Sequence, residues 1–196
     1  MRFSAAFVLL LTVVSASPLP KKEKAAASSS VSSAVASSTA AAASSTSTAT
    51  AATGGSVLTA AAYNDFQISS GTAGDAQTKA NALFSAIDMN NLASVSAADL
   101  KIIKGIHDAA EDAEVQAFNP AIKAASGDAA TALQNGKIQN KVLKLTAEVL
   151  GIQVEAAQGG DDSDLAAEQT KLANNIKLDT AAAGQASTAV PFDGTS

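Results

Sequence analysis

The segment Lys137–Gln158, KIQNKVLKLTAEVLGIQVEAAQ, constrains this chain more than any other. Ile138, Val142, Leu145, Val149, Ile152 and Ala156 recur at alternating intervals of four and three, one stripe down an α-helix. Leu143, Leu150 and Val154 flank the stripe and widen it, so the helix must be wrapped on more than one side. Such a helix is marginal in isolation, because the backbone entropy lost on ordering it rivals what its own hydrogen bonds return. It reads as the central helix of a bundle whose partners lie elsewhere in the chain.

The candidate partners follow from capping and periodicity. Thr72-x-x-Asp75 resembles an N-terminal cap before a helix to about Asn90, with Ala76, Ala80, Leu83, Phe84 and Ile87 on its apolar face. Ser96-x-x-Asp99 is a second capping signal. It opens a helix to about Phe118 with Leu100, Ile103, Ile106, Ala110, Ala113 and Ala117 inward. Asn119-Pro120 is expected to stop that helix and open the next. Ser126-Gly127 is a candidate break, and Asn135-Gly136 is compatible with either a cap or a run-through into the central helix. Gly159-Gly160 ends the central helix, and Asp161-Asp162-Ser163-Asp164 caps a last one that carries Leu165, Leu172 and Ile176 and ends at Gly184. Tyr63, Phe66 and Ile68 are expected to cover one end of the bundle, and the tail to Ser196 to be loose unless Val190 and Phe192 tuck back. The expected fold is all-α, an up-down bundle of four to five helices over residues 63–196.

Ahead of it, Met1-Arg2 and the apolar run Phe3–Val14 read as a secretory signal peptide. Small residues at Val14-Ser15-Ala16 place cleavage after Ala16. The run is too short to span a bilayer, and no transmembrane segment is expected later. The closing residues Pro191–Ser196 lack the apolar tail of a glycolipid-anchor signal. Residues 17–62 are expected to be disordered. Lys21-Lys22 is a candidate processing site, and Ala25–Ala62 holds no charge and almost only Ala, Ser and Thr, the composition of an O-glycosylated stalk. With no cysteine, the domain has no disulfide to lean on.

Catalytic chemistry is sparse. His107 is the only histidine, and no Gly-x-Ser-x-Gly elbow accompanies it. One histidine and no cysteine leave zinc only carboxylates, and Asp161, Asp162 and Asp164 do not follow the helix-loop-helix calcium spacing. No enzyme activity, metal or cofactor is expected. From Tyr63 onward 17 Asp and Glu face nine Lys and no Arg, and the few aromatics offer no stacking surface, so nucleic acid is excluded as a partner. Asp108, Glu111, Asp112 and Glu114 read as a solvated helix face. Lys137, Lys141 and Lys144 share one side of the central helix, as solvated flanks or as a local anion contact.

The runs Phe118–Ala125 (FNPAIKAA) and Ala132–Leu145 (ALQNGKIQNKVLKL) resemble a group of small secreted proteins of filamentous ascomycete fungi, over roughly Tyr63–Phe192. In layout and composition the chain is more distantly similar to the fungal hydrophobic-surface-binding and cell-wall galactomannoprotein family. The first resemblance implies secretion without a transferable activity; the second implies cell-wall polymers, lipids or hydrophobic surfaces as partners. Three functions follow as expectations. One is a structural or interaction role at the wall or cell surface. Another is a lipid or hydrophobic-surface binding module, for which alanines on inward faces leave room and Leu83, Phe84, Ile103, Leu145, Val149 and Leu172 are the candidate lining. The last is a secreted effector acting on a host protein.

Overall fold

The computed structural model describes residues 55–196. The expected signal peptide and most of the Ala/Ser/Thr tract lie outside them. In chain order the described residues form a one-turn α1 (Tyr63–Phe66), a short strand β1 (Gly71–Thr72), α2 (Ala76–Leu83) and a 3₁₀ turn at Leu92–Ser94. Then come α3 (Ala97–Ala113), a π-helical turn at Glu114–Phe118, α4 (Asn119–Ala124), α5 (Gly127–Ala157), α6 (Leu165–Ala181) and β2 (Ala186–Ser187). The fold is all-α apart from the β1–β2 ladder, which is antiparallel with Gly71 opposite Ser187 and Thr72 opposite Ala186.

α5 is the axis. Its 31 residues span about 46 Å at 1.5 Å per residue. Val142, Leu143 and Val154 are fully buried and Leu150 nearly so, because α3 packs on one side of α5 while α6 and α2 pack on others. Lys104 of α3 meets Glu155 of α5 while Asn119 meets Lys137, so the chain from α3 into α4 runs antiparallel to α5. The stretch from Thr72 to Val95 travels alongside α5 in its own direction. Gln139 Nε2 donates to the Thr72 carbonyl at one end, and Gln158 Nε2 donates to the Val95 carbonyl at the other. α5 ends as expected, with Gly159 at φ +92° and the Gly160 N–H returning to the Glu155 carbonyl at 2.8 Å.

At Asn135-Gly136, compatible with a cap or a run-through, the helix passes through both. Several expectations are corrected. Asn119-Pro120 does not stop the preceding helix. Phe118 and Asn119 keep right-handed helical angles, and the Asn119 N–H bonds to Glu114, five residues back. The π turn widens the helix just before Pro120, where a regular turn would press the ring on the carbonyl four residues earlier. α2 ends at Leu83 rather than near Asn90. Ser85 Oγ and the Ser85 N–H both return to the Ala82 carbonyl, and the resulting turn buries Phe84 and Ile87. Asp75 gives α2 no side-chain cap. Asp179 of α6 supplies it instead, accepting from the Gly74 and Ala76 N–H groups at 2.9 Å each. Likewise Asp164 makes no cap hydrogen bond to α6, and Asp161 spends its carboxylate on Ser163 within the loop.

The tail is not loose but tucks back through Val190 and Phe192, and ordered packing begins ahead of Tyr63. Thr188 N–H donates to the Ala132 carbonyl, Val190 is buried, and Phe192 meets the edge of the Tyr63 ring at 5.8 Å between centroids. Tyr63 N–H donates to the Gly194 carbonyl, and Ala62 pairs with Thr195. The tail can lie this close because α3 and α5 present glycines under it, Gly105 beneath Ser196 and Gly136 beneath Thr188. Residues 56–58, placed in the linker by composition, are fixed on Asp99 through Ser56 Oγ and the N–H groups of Val57 and Leu58. Tyr63 does not lid an end of the bundle. It is fully buried near the middle of α5, donating to Asn140 Oδ1 at 2.8 Å while Asn140 Nδ2 donates to the Ala110 carbonyl. Burial pushes the Tyr63 phenol well above its ordinary pKa.

Candidate functional site

Among the described residues, the most apolar of several clefts is a groove of about 350 Å³ between the end of α2, α5 and α6. The turn after α2 positions Phe84 and Ile87, and the wide apolar girth of α5 supplies Val149 and Leu150. These four side chains are buried and form its floor. Leu172 of α6 makes a wall, and Met89 stands 56 % exposed at the rim. The groove exists because α6 buries little. Leu172 and Ile176 are only partly covered, and Asp179 is the one fully buried residue of that helix.

The polar lining is neutral throughout: Gln77, Asn81, Ser85, Thr146 and Gln153. Thr146 Oγ1 donates to the Val142 carbonyl of its own helix, and Gln77 Nε2 donates to Asn81 Oδ1. Among the described residues, Asn81 Nδ2 and the Gln153 amide have no protein partner. Among the described residues, no charged side chain lines the groove. The arrangement offers apolar contact and neutral hydrogen bonding, with no group in it placed for proton transfer or nucleophilic attack.

Of the six residues expected to line an apolar site, Phe84, Val149 and Leu172 border this groove. Leu83 packs on the outside of the core, while Ile103 is fully buried and Leu145 nearly so, away from the groove. Sequence reading missed Ile87, Leu150, Gln77, Asn81 and Gln153. Gln77 and Asn81 stand four apart, as do Val149 and Gln153, so helical spacing alone could have joined them to the same faces.

The remaining candidates resolve differently. Lys137, Lys141 and Lys144 do not flank the bundle as free charges, and Glu114 leaves the solvated face on which Asp108 and Asp112 stay, with Glu111 half exposed at its edge. Lys144 bonds both acids, at 3.0 Å to Glu114, while Lys141 and Lys137 approach Glu114 at 3.5 and 3.8 Å. Burial acts to raise the Glu114 pKa, yet the Lys144 hydrogen bond and the three lysine charges outweigh it and hold the carboxyl below its ordinary range. For Lys144, burial acts to lower the value, and its two carboxylate partners outweigh it and raise it. Stability from Lys144 is therefore complete below its unfolded pKa and is lost as pH rises through the folded one. Lys144→Met is expected to cost about 1–2 kcal/mol at pH 7, since Lys141 and Lys137 still face Glu114. Urea unfolding checks this, and an unchanged midpoint contradicts it.

His107 lies 3.1 Å from Asp108 and 3.4 Å from Glu148 on the α3–α5 seam, 27 % exposed. Among the described residues, no three His, Cys, Asp or Glu side chains converge as a metal site would require. No described helix is long and apolar enough to cross a membrane.

No curated protein and no solved structure matches the chain. Residues 58–191 match DUF8454, a domain of unknown function; they span more than half of the sequence, and the chain belongs to that family.

Proposed function

We propose that the helical domain is a non-enzymatic binding module for a small apolar ligand, seated in the groove between α2, α5 and α6. In this reading the protein is secreted and works at or near a fungal wall or surface, carried there behind the hydroxyl-rich N-terminal tract. The observation that supports it most is the pairing of a buried apolar floor with an open mouth: Phe84, Ile87, Val149 and Leu150 below, and Met89 and Leu172 around the rim. Ligand pockets of folded proteins begin near 300 Å³, so the occupant is small. A cavity of roughly 150 Å³ holds one benzene, so the groove suits about two rings or one medium-length alkyl chain rather than a two-chain lipid.

Naphthalene, which has no polar group, tests the reading. It is expected to bind, raise the melting temperature and be excluded by Leu172→Trp. That variant fills the wall and should weaken naphthalene by about tenfold while the fold is retained. Far-UV circular dichroism and thermal melts report the fold, and naphthalene fluorescence reports binding. Naphthalene that fails to bind the native protein, or binds Leu172→Trp equally well, contradicts the reading.

A further inference from the structure

The geometry points to an uncharged amphiphile as the occupant of the groove: a single alkyl chain or fused-ring body that bears one hydroxyl or carbonyl. This rests on the proposed binding function and narrows its ligand class. Two observations carry it. The polar groups in the groove are neutral side chains, and two of them hold hydrogen-bonding capacity that no described residue uses: Asn81 Nδ2 donates, and the Gln153 amide both donates and accepts. A hydroxyl or carbonyl on an apolar body can be satisfied there.

Charge supplies the selection against the alternatives. A carboxylate or phosphate would meet no lysine in the lining, and it would approach a domain with 17 acidic groups against nine lysines from Tyr63 onward. An ammonium gains from that long-range field but finds no carboxylate in the lining to pair with. Drawing either ion toward an apolar floor without a counter-charge is costly, whereas a neutral hydroxyl costs far less to desolvate and regains a hydrogen bond.

The test uses three probes with one chain length: 1-decanol, sodium decanoate and decyltrimethylammonium, at pH 7 and below their aggregation limits, with naphthalene as the head-group-free reference. Binding is followed by ¹⁵N-edited NMR, including the side-chain amide signals of Asn81 and Gln153. Decanol is expected to bind about tenfold more tightly than either ion and to shift both amide signals. Gln153→Leu should lower the affinity for decanol about fivefold relative to that for naphthalene. Decanoate or the ammonium binding as tightly as decanol overturns the inference. So does a folded Gln153→Leu variant that binds naphthalene and keeps the native ratio of decanol to naphthalene affinity. If naphthalene binds and decanol shows no advantage, the groove reading stands and the selectivity falls. If neither binds, both fall.

Discussion

Gly136→Ala is expected to destabilise the domain by about 2–4 kcal/mol, although alanine is the better helix former by about 1 kcal/mol. A Cβ at this position would fall on the Thr188 carbonyl oxygen, 2.9 Å from its carbon and 3.2 Å from Phe118 Cε1. Neither side can yield cheaply. Phe118 is fully buried, and Thr188 is pinned by its N–H bond to the Ala132 carbonyl one turn away. Lifting the 186–190 segment would break the bonds from Asn135 to the Ala186 carbonyl and from Ser187 to Gln139, and would uncover Val190. Gly151 of the same helix is the control. There a Cβ meets only Ile103 Cγ2, at an ordinary 3.8 Å, so Gly151→Ala should be neutral or stabilising by up to about 1 kcal/mol. Urea unfolding of the two variants beside the native protein decides the point. Equal effects at the two glycines would mean the tail does not dock on α5 as described.

Asp99→Ala is the second large effect, a loss of about 2–3 kcal/mol at neutral pH. The carboxylate is 2 % exposed and gathers donors from two places. Ser96 Oγ, at 2.7 Å, belongs to the start of α3, whereas Ser56 Oγ and the N–H groups of Val57 and Leu58 belong to the entering chain. Removing it strands those donors and frees residues 56–58. Burial acts to raise the Asp99 pKa, but the hydrogen bonds from Leu58, Ser96, Ser56 and Val57 together outweigh it and hold the carboxyl below its ordinary value. The sign follows from linkage. A lowered folded pKa gives stability that is complete above the unfolded value, 3.8, and is lost as pH falls through the folded one. The gap between native and Asp99→Asn stability should therefore be constant from pH 7 to about 5 and close under acid. Both proteins lose further stability there, because Glu114 is held low in the same sense. A gap that widens on acidification contradicts this account of Asp99.

The parts of the fold legible in the sequence are those set by local chemistry. The stripe from Ile138 to Ala156 marks α5, Ser96 caps α3 through the Asp99 N–H, and Gly159 ends α5. What was not legible depends on contacts across the chain. Asp179 caps a helix some hundred residues earlier, which no local pattern at Thr72–Asp75 reveals. Asn135-Gly136 reads equally as a cap or a run-through until Thr188 is seen lying on Gly136, and Pro120 reads as a stop until the π turn makes room for its ring. The groove divides in the same way. Phe84, Val149 and Leu172 carry an apolar signal on helical faces, but their meeting depends on the turn after α2 and on the shallow burial of α6. The lysine stripe of α5 was visible as a stripe; its acidic partners lie on another helix.

The central claim is that a small apolar molecule sits on Phe84, Ile87, Val149 and Leu150 under Leu172. Intermolecular nuclear Overhauser effects between naphthalene and methyl-labelled protein measure it most directly. The account predicts contacts to the methyls of Ile87, Val149, Leu150 and Leu172, and none to Ile103 or Val142, which are sealed in the core. Contacts confined to exposed side chains elsewhere, such as Val57 and Val115, or no contacts at all, would contradict it.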